Sequence, residues 1–158
     1  AASEPAAGEG LLYQWSAAMN NQCGERAQGV CPTGFHIPSD CEWKYLEHGQ
    51  GMAISEQNIQ SSVRANTTDS QGTPGNKLRS QGTGATNTSG FSALLAGYRK
   101  TTDGLFYNNA NLGQWYTSTT IVTSNVSAIT RLVGANILGL ANWSGHNGFA
   151  FSVRCLKD

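Results

Sequence analysis

The chain has 158 residues, ten Lys and Arg against ten Asp and Glu, only 13% charged residues, and 19 glycines. That length suits one domain around one core, and the absence of a basic excess argues against a nucleic-acid partner. No apolar run approaches the roughly 18 residues of a spanning helix, so no membrane insertion by this domain is expected.

Residues 1–10, beginning Ala-Ala-Ser-Glu-Pro, are expected to form a flexible N-terminal tail, which leaves 11–158 as a single domain. In the stretch LLYQWSAAMNNQ, Leu12, Trp15 and Met19 stand at helical spacing around Ala17 and Ala18, which predicts a short helix over Gln14 to Asn21. Val30 to Ile37 is interrupted by Pro32 and Gly34 and reads as irregular chain or a short strand. Ser39 followed three residues later by Glu42 is a capping box: the hydroxyl meets the Glu42 amide and the carboxylate returns to the Ser39 amide. A helix carrying Trp43 and Leu46 follows and is expected to end near Gly49.

Gln57 to Gly90 is poor in apolar residues and reads as a long functional or mobile loop, with Gly75 to Ser80 as its one ordered island. Asp103-Gly104, between short apolar runs, signals a hairpin. GQWYTSTT reads as a strand and AITRLVGANILG as short twisted strands and turns. GFAFSVRCL reads as a last strand with Phe149, Phe151 and Val153 on one face, set inside the sheet. Two early helices followed by many short strands make an α+β domain with a small, mostly antiparallel sheet and long loops.

The four cysteines are Cys23, Cys31, Cys41 and Cys155. An even count in a weakly charged, Asn/Ser/Thr-rich chain fits an oxidised, exterior protein; the alternative is four free thiols. No Cys-x2-Cys pair occurs, and His36, His48 and His146 lack ligand spacing, so no metal and no cofactor is expected. His36 is five residues from Cys31, in a stretch that reads as structural. Asp40 and Glu42 serve a helix start better than an acid–base pair. No enzymatic chemistry is expected.

CPTGFHIPSDCEW, GFSALLAGYR, GQWYTST and GFAFSVRCLKD, in this order, resemble the Fibrobacter-type major paralogous domain. Leu95 departs from a usual Pro and Ala150 from a usual Gly, and residues 121–148 barely follow the family. The resemblance implies a C-type lectin fold, in the branch shared with formylglycine-generating enzymes, with both chain ends side by side in one small sheet. It further implies that Cys31 and Cys155 lie close enough to pair, which leaves Cys23 and Cys41 as a second candidate pair. Formylglycine-generating enzymes use a reactive cysteine pair in their C-terminal half, where this chain has only Cys155. The Glu-Pro-Asn, Gln-Pro-Asp and Trp-Asn-Asp signatures of calcium-dependent lectins are absent from the candidate binding region, and no Asp or Glu occurs between Gln114 and Lys157.

The 42 residues from Trp115 to Leu156 contain no Glu, Lys, Gln, Met or Asp, whereas the preceding 114 contain 20 of the first four types. The C-type lectin fold is also the scaffold of variable proteins made by diversity-generating retroelements, which randomise adenines, mostly in Asn codons. Such randomisation cannot reach Glu, Lys, Gln, Met or Trp; Trp115 and Trp143 would be fixed by the template, and the missing Asp is unexplained. The resemblance therefore implies a candidate variable region over 115–155 on a fixed frame, the logic of a paratope. The expected ligand-binding positions are Ile129, Thr130, Leu132, Gly134, Asn136, Leu138, Leu140, Asn142, Trp143, His146, Asn147 and Phe149, with Trp143 as anchor. The expected function is a receptor- or adhesion-type binding protein for a protein or surface glycan, extracellular, on a cell surface or on a virus particle. The alternative is an undiversified structural or adhesion module, since β-strands in such a chain are low in Lys and Glu anyway.

Overall fold

The computed structural model describes residues 7–60, 62–65, 73–121 and 127–158. Ten strands and three short helices make an α+β architecture. Residues 1–6 of the expected tail lie outside the described residues; 7–10 form a turn.

Strand β1 (Tyr13–Gln14) leads directly into α1 (Trp15–Ala18), so the helix expected over Gln14 to Asn21 is only one turn. It stops because Asn20 and Asn21 both take positive φ, 50° and 57°, which no helix tolerates. After β2 (Phe35–His36), α2 spans Asp40–Gly49 and opens with the capping box: Ser39 Oγ accepts from the Glu42 amide at 3.3 Å, and the Ser39 amide donates to Glu42 Oε2 at 2.9 Å.

The segment expected as a long loop is more ordered than its composition suggests. After a 3-10 turn at Ile54–Glu56 just before it, it holds strand β3 (Ser62–Arg64) and a third helix, α3 (Pro74–Leu78), which overlaps the expected ordered island and starts on a proline. The helix count expected as two is thus three, because polar Asn76 and Lys77 are held by the loop around them: Thr86 and Asn87 amides donate to the Asn76 carbonyl, and Lys77 Nζ donates to the Gln50 carbonyl.

β4 (Tyr98–Arg99) and β5 (Phe106–Tyr107) form the hairpin signalled by Asp103-Gly104. Gly104 takes φ 70°, and Asp103 Oδ1 accepts from the Leu105 amide at 2.9 Å. β6 (Leu112–Thr120), β7 (Ser127–Gly134) and β8 (Leu140–His146) are the long strands. β7 is one continuous strand rather than the expected short pieces, because both of its faces are buried and its β-branched run has packing on each. The last segment does the opposite. It divides into β9 (Ala150–Phe151) and β10 (Leu156–Lys157), since Ser152 leaves to pair with the edge of β6, donating to the Gln114 carbonyl at 3.0 Å. Phe149 and Phe151 consequently pack with Tyr98, while Val153 joins the cluster of Ile37 and Met19.

The strands form two four-stranded sheets, β1-β9-β4-β5 and β3-β8-β7-β6, and a two-stranded ribbon, β10-β2, with every ladder antiparallel. β9 is an interior strand paired with β1, so the two ends of the domain do meet in one small sheet. Cys31 and Cys155 are disulfide-bonded across a sequence separation of 124. Cys23 and Cys41 do not form the second pair; both are exposed and free. Cys41 lies on the first turn of α2 beside Lys44 and Tyr45, and Cys23 follows the turn after α1.

The three long strands are covered on both sides. One face carries Trp115, Val133 and Leu140 into the main core with Trp43, Leu78 and Leu95. The same face presents Arg131 and Arg64 to α2, where both meet Glu47. On the other face, Tyr116 and Ala128 pack against Phe151. Arg79 is wholly buried without a carboxylate partner among the described residues. It donates to the carbonyls of Gln81, Thr83, Ala135 and Ile137 and to Asn76 Oδ1, and so ties the β7–β8 turn to the loop after α3.

Candidate functional site

Where sheet β3-β8-β7-β6 is not covered by Phe151, its second face opens as a groove of about 360 Å³. Alternation puts Leu112 and Gln114 of β6, Leu132 of β7 and Trp143 of β8 on that face. Tyr98, Asn108, His146, Phe149 and Phe151 complete the wall, and Ser144 and Gly145 the rim.

The groove is aromatic and built in layers. Tyr107, Tyr98 and Phe149 stack in sequence, with centroids 5.6 and 6.0 Å apart and planes tilted by 20° and 8°, and His146 continues the row at 5.5 Å. Trp143 is 46% exposed, an uncovered indole beside this row. Gly145 must be a glycine: a Cβ there would lie 2.4 Å from Thr130 Cγ2 and 2.8 Å from Phe151 Cε2.

Polar groups fix the geometry. Gln114 is 7% exposed, and its Nε2 donates to Thr130 Oγ1 at 2.9 Å; Thr130 in turn donates to the Trp143 carbonyl at 3.1 Å. One chain of bonds thus crosses β6, β7 and β8 under the groove. Gln114 Oε1 accepts no hydrogen bond among the described residues and is not one of the atoms sealed from water. Tyr116 reaches from below with its hydroxyl 2.9 Å from the Phe149 carbonyl and 3.1 Å from that of His146, setting the 146–149 turn; burial pushes its phenol well above its ordinary value. His146 Nδ1 accepts from the Gly148 amide at 3.1 Å, which leaves Nε2 as the protonated, donating nitrogen of the neutral ring. No lining residue is an acid, a lysine or an arginine. Beside the groove, Tyr107 donates to Asp103 Oδ2 at 2.6 Å, a bond that holds the Asp103 carboxyl below and the Tyr107 phenol above their ordinary ranges.

Of the twelve positions expected to bind, Leu132, Trp143, His146 and Phe149 meet in this groove. Asn136 is exposed and Leu138 half-buried at the opposite turn, where the Leu138 carbonyl accepts from the Gly75 amide; Asn147 is half-buried beside the groove. Ile129, Thr130, Gly134, Leu140 and Asn142 are buried and are not a contact surface. They lie on both faces of β7 and β8: the main core covers the face toward α2, and Phe151 covers part of the other. Sequence reasoning missed Tyr98, Asn108, Leu112, Gln114, Ser144, Gly145 and Phe151. Gln114 could have been found, since it alternates with Leu112 and Tyr116 along β6.

The remaining candidates are structural in their contacts. His36 is buried with Nδ1 2.6 Å from Asp158 Oδ1 and Nε2 3.1 Å from Glu42 Oε1. His48 Nδ1 lies 3.1 Å from the Met52 carbonyl. Among the described residues no three His, Cys, Asp or Glu side chains are grouped to hold a metal, and no helix is long and apolar enough to cross a membrane.

The model of the Fibrobacter succinogenes major domain matches residues 2–157. No curated protein and no solved structure matches the chain at a significant level.

Proposed function

The chain belongs to the Fibrobacter succinogenes major domain family, and from that premise we propose a non-catalytic, receptor- or adhesion-type module that binds a partner in the Trp143 groove. The observation that carries this reading is an uncovered tryptophan beside a stacked aromatic row, over a floor fixed by buried hydrogen bonds. Concave, mostly apolar sites with a few placed polar groups are where ligands bind. We take the scaffold to be C-type-lectin-like, of the formylglycine-generating-enzyme-like branch; the pairing of β1 with β9 and the disulfide between Cys31 and Cys155 support this. The disulfide also suits an extracellular site, on a cell surface or a virus particle.

We further propose that the groove's rim is diversified, by a retroelement acting on the region 115–155. The positions free to vary are Asn136, Ser144 and His146, which are exposed, with Leu138, Asn147 and Phe149 half-buried; exposed Trp143 would stay fixed by the template. The second reading, an undiversified adhesion module, is favoured by a separate observation. Of the 37 described residues in 115–156, 19 are buried and seven exposed, and burial disfavours charged side chains that lack a partner.

Two experiments test these readings. Trp143→Ala should abolish binding to the host-surface partner while the far-side control Tyr45→Ala leaves it intact; a folded Trp143→Ala protein that still binds would remove the groove from the site. Sequencing the flanking DNA should reveal a near-copy of codons 115–155 differing at adenines, beside a reverse transcriptase gene. With no such copy, the undiversified reading stands.

A further inference from the structure

We infer that the groove accepts a neutral, multiply hydroxylated ring, a pyranose unit of an uncharged glycan, without a metal ion. This inference rests on the proposed binding role of the groove and names its ligand class. The first argument is charge. The lining residues are aromatic, aliphatic or neutral amide and hydroxyl groups, so an anion would find no counter-ion and a cation no carboxylate to replace its water. The second is shape. A pyranose chair with C–H bonds on one face suits the uncovered indole of Trp143, while its hydroxyls project sideways.

The third argument is the hydrogen-bonding set that those hydroxyls would meet. Gln114 Oε1 accepts no hydrogen bond among the described residues and is not sealed from water, so it is open to the groove. His146 offers a donating Nε2, because its Nδ1 is already used by Gly148. Asn108 is exposed at the rim of the groove and can both donate and accept. A hydroxyl can both donate to the acceptor and accept from the donor, and a sugar ring carries several at fixed spacing. An apolar side chain seated there would leave Gln114 Oε1 desolvated and unpaired, which is costly.

The test uses the intact protein and a panel of neutral hexose and pentose oligosaccharides, with uronic-acid oligosaccharides as charged counterparts, followed by the Trp143 indole resonance and by calorimetry. At least one neutral oligosaccharide is expected to shift Trp143 and to bind roughly tenfold or more tighter than its uronate analogue. Trp143→Ala should weaken it by about tenfold or more, and Gln114→Leu by a similar factor with the fold intact. The inference is overturned if no neutral oligosaccharide perturbs Trp143 at about 10 mM, or if Gln114→Leu binds as well as wild type. A protein partner lost in Trp143→Ala, with no oligosaccharide bound, would overturn the glycan and keep the groove. Binding of either kind that survives Trp143→Ala would remove the groove itself.

Discussion

Arg131 Nε lies 2.6 Å from Glu47 Oε1, and both side chains are wholly shielded from water. This contact fastens the central strand β7 to helix α2. Arg64 joins it with two bonds to the same carboxylate, 2.9 and 2.8 Å, and Arg131 also reaches Asp40 at 2.6 Å. The network is incompletely satisfied, since Arg131 Nη1 and Arg64 Nε have no partner.

Removing one member should therefore cost more than removing all. Glu47→Ala leaves two buried guanidinium groups facing each other and is expected to destabilise by about 3–5 kcal/mol in urea unfolding. The triple change Arg64→Met, Glu47→Leu, Arg131→Met should recover most of that. A triple variant less stable than Glu47→Ala would show that the charges fix more than their own pairing.

Acid should loosen the same region first. Burial would raise the Asp40 carboxyl, but Arg131 and Lys44 outweigh it and hold the group below 3.8; at Glu42, hydrogen bonds from Ser39 and His36 likewise overcome burial and hold it below 4.5. Folded values below unfolded ones stabilise the protein above the ordinary values, and that stabilisation is lost as the pH falls through the folded values. Unfolding monitored between neutral pH and pH 2 should show this loss below about pH 4.5. Asp40→Asn should flatten the profile, and an unchanged slope would dismiss the Asp40 contribution.

How much of this was legible from sequence varies with range. The capping box at Ser39 and Glu42 and the Asp103-Gly104 turn were readable because their partners lie within a few residues. The Cys31–Cys155 bond came from resemblance alone. Glu47 gave no sign of its role: it sits one residue after Leu46 in an amphipathic pattern, and its partners are 17 and 84 residues away. Thr130, Leu140 and Asn142 were misplaced for a similar reason, since alternation gives two faces but not which of them a distant element covers. Leu140→Ser, an attractive probe of an outer face, would instead open the main core, where Leu140 is 1% exposed.

Glycines separate fixed from replaceable positions. A Cβ at Gly139 would lie 1.7 Å from the Arg64 carbonyl oxygen, and one at Gly49 would meet nothing within 4 Å. Gly139→Ala should lose at least about 1–3 kcal/mol, while Gly49→Ala, at the end of α2, should be neutral or gain up to about 1 kcal/mol. Thermal melts of the two variants decide it; equal melting would mean that β3 and β8 can part without cost.

Thiol chemistry gives the fourth check. The native, unreduced protein should titrate two thiols, Cys23 and Cys41, with Cys31 and Cys155 released only by reduction. Cys31→Ser with Cys155→Ser should cost about 2–5 kcal/mol. A native count of zero would mean that Cys23 and Cys41 find each other or another chain once oxidised.

The bond between Cys31 and Cys155 also decides how the domain carries tension. Force entering before Cys31 and leaving after Cys155 passes through two sulfur atoms and bypasses everything between them, the aromatic groove included. In its path lie α1, the pairings of β1 with β9 and β10 with β2, and bonds such as that from the Ile37 amide to the Ala27 carbonyl. Peeling these extends residues 1–30 by at most about 100 Å, after which the covalent link bears the load.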